Sequence, residues 1–192
     1  MKFLKNNKGS YLYINKKRIV ETIKTVVLFS FAVGLYLIGY ITLKTNKSLW
    51  TIFAVLSVLP AAKSAVSMIM FFRFSSISDD EYSLIESCRG KVLTNYEYVF
   101  TTSEKSYYVK AVSCIDSTVI LLFNKDKLNA SNELKDHINM AIEREGYKGY
   151  SIKIFTDIKD YTNRLKEMND KLSEDSNYSA ERIFALFNAI TL

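Results

Sequence analysis

The chain has 192 residues, 48% of them hydrophobic, and a net charge of +6, enough for one soluble domain and a small membrane part. The positive excess is local: residues 1–74 carry eleven basic residues against Glu21 alone, whereas residues 75–192 carry fifteen basic against nineteen acidic. The soluble part therefore lacks the basic surplus needed to hold a phosphate backbone, and nucleic acid is not expected as a partner.

In chain order, residues 1–24 form a basic segment that belongs in the cytosol. Residues 25–43 contain no charge, and residues 49–72 contain only Lys63. Each run approaches the ~20 residues a helix needs to cross ~30 Å of hydrocarbon. Seven basic residues precede Thr25, while the loop at residues 44–48 holds only Lys44 and Lys47. Lysine and arginine collect on the cytoplasmic side. Residues 25–72 are thus expected to form a two-helix transmembrane hairpin in the plasma membrane, with both termini cytoplasmic. The first run exceeds a signal-peptide core and ends without a small-residue cleavage site, which reads as an anchor. Ser30 and Gly34 on one helix, and Ser57, Ala61 and Ala65 on the other, offer small residues for close packing.

Lys63 is the costly residue of this hairpin, since no acid lies in either apolar run to pair with it. The hydroxyls of Tyr36, Tyr40, Ser64 and Ser67 are its available partners, together with the Leu56 carbonyl that Pro60 cannot engage. Three roles compete: a snorkelling side chain, a contact to a second copy or another membrane protein, and a polar group lining a path or meeting a lipid headgroup.

Residues 75–192 read as a cytosolic α+β domain. Ser78 with Glu81 forms a capping box for a helix that ends at Gly90. Strands are expected around 96–100, at 107–115 and at 118–123, with Tyr96, Tyr98 and Phe100 sharing one face. A helix over 132–145, capped by Ser131, places Leu134, Ile138, Ala141 and Ile142 on one stripe and ends at Gly146. A fourth strand at 151–155 and helices over 157–172 and 180–190 complete the order α-β-β-β-α-β-α-α. The glycine-flanked turn at 146–150 joins helix to strand, the reverse of the order that cradles phosphate.

The order α-β-β-β-α-β resembles the core of the PD-(D/E)xK nucleases, which implies metal-dependent phosphodiester cleavage. That chemistry needs clustered carboxylates to hold the metal and a lysine to position water, and the signature of that family puts an acid at the end of one strand and Glu-x-Lys on the next. The strand at 118–123 holds no acid, and neither Glu-x-Lys nor Asp-x-Lys occurs on it or on the strand before. His137 is the only histidine, so a histidine metal site or a Ser-His-Asp triad lacks members. Cys88 and Cys114 form no Cys-x-x-C pair and are expected to be reduced and buried. No catalytic residue, metal or cofactor is expected.

The residues thus point to a two-pass integral membrane protein. Its cytosolic domain acts by protein contacts, as a homo-oligomer or as an accessory or scaffold subunit of a membrane partner. The rival readings are a membrane-tethered enzyme, including a divergent nuclease of the kind named above, and a membrane-coupled sensor. Lys63, Pro60, Ser64, Ser67, Tyr36 and Tyr40 are the residues assigned to membrane packing or partner contact.

Overall fold

The computed structural model describes residues 8–44, 49–102, 105–123, 131–147, 149–171 and 176–192. Lys2 and Lys5, most of the loop at 44–48, part of the turn at 103–106, Lys148 and Leu172 lie outside the described residues. The chain divides into two units, Ile14–Ser75, and Met1–Tyr13 together with Ser76–Leu192.

In the first unit, α1 spans Tyr13–Leu43 and α2 spans Leu49–Phe72, 31 and 24 residues. Their lengths are ~46 and ~36 Å at 1.5 Å per residue. Both are long and apolar enough to cross a membrane. Helix α1 starts well before the apolar run, and α2 continues through Pro60. Buried positions on α1 include Ile14, Glu21, Thr25, Ala32 and Gly39, and on α2 they are Ala54, Ala61, Ser64 and Phe71. The steps are 7, 4, 7 and 7 on α1 and 7, 3 and 7 on α2, the spacings of a heptad seam that keeps one side of a helix against a partner. Thr25 Oγ1 donates to Ser64 Oγ at 3.0 Å, and Arg18 donates to the Phe74 carbonyl at 2.5 Å. Moving backward on α1 moves forward on α2, so the helices run antiparallel.

The second unit carries α3 (Asp79–Arg89), β1 (Leu93–Thr101), β2 (Ser106–Ile115), β3 (Thr118–Phe123), α4 (Ser131–Arg144), β4 (Ser151–Phe155), α5 (Ile158–Asn169) and α6 (Ser176–Ile190). Ser78 caps α3 by accepting the Glu81 N–H at 3.3 Å. Gly90 closes the helix at φ 54°, where a Cβ would stand 2.3 Å from Asn169 Oδ1. Asp157 caps α5 through the Lys159 N–H at 2.8 Å. The sheet has the order β1-β2-β3-β4, antiparallel through the first three strands and parallel between β3 and β4. Only the parallel pair needs a crossover, and α4 supplies it.

Helices cover both faces. On one face, Leu134, Ile138 and Ile142 of α4 and Ile183 and Phe187 of α6 pack with Val112, Val119 and Leu121. On the other, Ile85 of α3 and Tyr161, Leu165 and Met168 of α5 pack with Ala111, Ile120 and Leu122. A strand covered on both sides should be continuously apolar, as β3 is. Within the second core, Ser113 Oγ lies 2.7 Å from both Thr94 Oγ1 and the Tyr161 hydroxyl.

The aromatic face expected on β1 is split. Tyr96 belongs to the α3/α5 side, while Tyr98 and Phe100 belong to the α4/α6 side. The cause is Glu97, at φ 56°, which breaks the alternation. Across from it the β2–β3 register shifts between Val109 and Ala111, leaving Lys110 as the extra residue. The free edge of β1 is also covered. Tyr96 N–H donates to the Gly9 carbonyl at 2.8 Å, and Leu192 N–H donates to the Val99 carbonyl at 3.1 Å.

Burial keeps two ionisable core groups neutral: the Tyr98 phenol is pushed from 10.0 up to about 12, and the Cys114 thiol from 9.0 up to about 12. A pKa raised by folding favours the folded state below the unfolded pKa, and that contribution is lost as pH rises through the folded one. The midpoint of thermal unfolding, followed by circular dichroism, is therefore expected to hold steady up to about pH 9 and to fall steeply from there toward pH 12. A midpoint unchanged to pH 11 contradicts this account.

Candidate functional site

Of the six residues singled out in the apolar helices, the structure brings one into a polar contact between them. Ser64 is 2% exposed in the α1/α2 seam. Lys63 and Pro60 are exposed on α2, and the Ser67 hydroxyl donates to the Lys63 carbonyl at 3.3 Å. Tyr36 and Tyr40 stack on one another with ring centroids 6.4 Å apart, 41% and 52% exposed. No hydrogen bond links the Lys63 ammonium to these hydroxyls among the described residues. The small residues that face inward are Ala32, Gly39, Ala54 and Ala61, whereas Ser30 is exposed and Gly34 has no atom near its missing Cβ.

The seam holds a polar knot instead. Ser64 Oγ accepts from Thr25 and stands 3.4 Å from Glu21 Oε2, the carboxylate being 8% exposed. Lys17 reaches Glu21 Oε1 at 3.2 Å and Lys24 reaches Oε2 at 3.7 Å, from one turn on either side. The buried acid is thereby matched by two cations whose ammonium groups reach toward water. Glu21 is the only acid in residues 1–74, and its place seven residues after Ile14 and four before Thr25, on the seam, was the available signal.

A second polar constellation lies at the bulge. Glu97 is 1% exposed, and its Oε1 accepts the Ile77 N–H at 3.1 Å. Lys110, opposite it, pairs with Glu81 Oε1 at 2.7 Å. Glu81 was expected to close the capping box; its carboxylate reaches this lysine. Tyr11 stacks on Tyr82 at 3.9 Å, and its hydroxyl donates to Asp79. That bond holds the Tyr11 phenol up at about 12. Tyr82 in turn meets Tyr96 edge-on at 5.0 Å, and Tyr96 donates to Glu86 at 2.8 Å. Burial, with the nearby Glu97 and Glu81 charges, pushes the Tyr108 phenol up as well.

Residues 8–12, which precede α1, and residues 76–78, which follow α2, are thus both fastened to the start of α3 and the bulge of β1. Lys8 adds a bond from its ammonium to the Asn188 carbonyl at 3.0 Å. We refer to this constellation as the collar. No local pattern announces Glu97, because in Tyr-Glu-Tyr-Val-Phe it reads as an outward-facing strand residue.

Among the described residues, no group of three or more His, Cys, Asp or Glu side chains is arranged to hold a metal ion. No family model matches the chain, and no curated protein or solved structure matches it either.

The collar makes a direct prediction. Glu97→Ala leaves the Ile77 N–H without its buried acceptor, a loss of ~1–3 kcal/mol. Amide exchange at Ile77 should then accelerate about tenfold or more, at ~1.4 kcal/mol per factor of ten. Glu97→Gln retains a carbonyl acceptor and should accelerate it less. Glu97→Gly should lower the thermal midpoint less than Glu97→Ala, because glycine accepts φ 56° without strain. Equal exchange at Ile77 in all three variants and the parent would show that the carboxylate does not hold the linker.

Proposed function

We propose that this protein is a two-pass integral protein of the plasma membrane, with both termini cytoplasmic, whose α+β unit acts by protein contacts. It serves as an accessory or scaffold subunit, assembling as a homo-oligomer or with a membrane-protein partner. The observation that carries the reading is the collar. Segments 8–12 and 76–78 flank α1 and α2 on the outside and are built into the same sheet. A pair of antiparallel helices that begins and ends on one sheet has both ends on one side of any bilayer it crosses. The basic residues at that end, Lys16, Lys17, Arg18, Lys24 and Arg73, favour the cytoplasmic side. The apolar side chains of α1 and α2 that face outward, such as Ile41 at 71% and Leu49 at 72% exposure, suit contact with lipid.

Lys63 supports the assembly part of the reading. It lies on the outward face of α2, away from the polar knot, so a second chain can reach it from the lipid side. The collar also favours a sensor: two connections fastened to one bulge can pass a displacement of the helices to the α+β unit.

Membrane insertion is tested by alkaline carbonate extraction, which should leave the chain in the membrane pellet. Alkaline phosphatase fused at the C-terminus should be inactive in cells, and a fluorescent protein fused there should fluoresce. An active phosphatase means that the orientation is inverted. The Lys63→Leu variant should insert equally well but lose most of the chemically crosslinked oligomer or co-purifying partner. Unchanged crosslinking would remove Lys63 from the assembly surface.

A further inference from the structure

We propose that the cleft between α4 and α6 is a binding site for a small apolar molecule carrying one carboxylate. It lies wholly within the α+β unit and is independent of the membrane reading. The cleft is a cavity of about 450 Å³. Its size falls in the range of sites for small organic ligands, which combine an apolar wall with a few convergent polar groups. Met140 of α4 and Leu186 and Ile190 of α6 supply the wall. Met140 is 62% exposed, the most exposed large apolar side chain of the unit among the described residues. Such a side chain at the mouth of a cavity gains by being covered.

The polar groups define the head of the occupant. Thr101, at the end of β1, also lines the cleft. Arg144 lines the same cleft and forms no ion pair or hydrogen bond among the described residues. A guanidinium is the side chain best matched to a carboxylate, which it grips with two parallel donors. His137 adds a further polar group on the same face of α4.

Glu145 also lines the cleft, beside Arg144. Its charge opposes a doubly charged head such as a phosphate monoester and leaves room for a single negative charge. The stretch from His137 to Arg144 is only ~10 Å of helix, too short a groove for a long amphipathic partner helix. The occupant is therefore a small molecule with an apolar chain or ring.

The test uses the full chain in nanodiscs of phosphatidylcholine with ¹³C-methyl methionine, the Met140 signal being assigned by its loss in Met140→Leu. Octanoate is the probe, with octan-1-ol and octyl phosphate as comparisons. Octanoate should move the Met140 signal saturably and bind at least tenfold more tightly than either comparison. Arg144→Gln should weaken octanoate at least tenfold. A Met140 signal that does not move, or moves only in proportion to octanoate partitioning into the bilayer, overturns the site. Equal binding by Arg144→Gln, or tighter binding of octan-1-ol or octyl phosphate, overturns the carboxylate assignment.

Discussion

The α+β unit turns on the irregularity at Glu97. A non-glycine residue at positive φ in the middle of a buried strand costs ~1–3 kcal/mol, and persists only when its surroundings hold it. Here three things do. The ladder is in register on either side, with Tyr96 opposite Ala111 and Tyr98 opposite Val109. The carboxylate is anchored by the Ile77 N–H. The neighbouring strand carries its own extra residue at Lys110, so the two strands turn over together and stay paired. The gain is that large aromatic side chains from one strand serve both cores. Tyr96 meets Tyr82 on one side, while Tyr98 and Phe100 meet Phe187 edge-on at 6.1 and 5.4 Å on the other. A regular strand would have sent all three to one side and left the other core short of volume.

The same irregularity explains why the collar forms where it does. A bulge redirects backbone and side chains from the pleat. At Glu97 this leaves a carboxylate buried beside the entering chain at Ile77, and the nearby Tyr96 N–H donates outward to Gly9. Both segments that bracket α1 and α2 therefore find hydrogen-bond partners within a few residues of one another. Position 97 trades intrinsic strand geometry for two fixed attachment points.

Local periodicity was enough to read most of the fold. The strands at 118–123 and 151–155 and the cap at Ser78 follow from short-range rules that the tertiary structure does not oppose. What was illegible depends on distant partners. Glu97 is held by a residue twenty positions earlier, and Glu81 pairs with a lysine on β2, so neither contact has a local signature. In the apolar helices the spacing of small residues pointed to Ser30 and Gly34. The buried stripe follows a seven-residue repeat that includes a charged residue, which a search for apolar or small residues passes over. Most of the candidate site was thus hidden for one reason: polar residues buried in mutual contact look, in sequence, like polar residues facing water.

The polar knot also changes the energetic standing of Lys63. On the proposed membrane reading, counting ~20 residues of spanning helix from the ends of α1 and α2 nearest residues 44–48 would bring the hydrocarbon boundary to about Ile23 on α1 and Met68 on α2. Glu21 with Lys17 would then lie at or beyond that boundary, where charges are inexpensive. Lys63 would lie ~8 Å inside it, within reach of its own four-carbon stem. The seam group left inside that boundary would be the Ser64 hydroxyl, and it is satisfied by Thr25 at 3.0 Å. Hydroxyl bonds of this kind contribute only ~0.6 kcal/mol on average in a bilayer. The pair is therefore held together mainly by the close fit of Ala32, Gly39, Ala54 and Ala61, and the knot fixes which faces meet. With the seam satisfied and Lys63 outside it, the proposed contact of a second chain with the outward face of α2 would leave the first contact undisturbed.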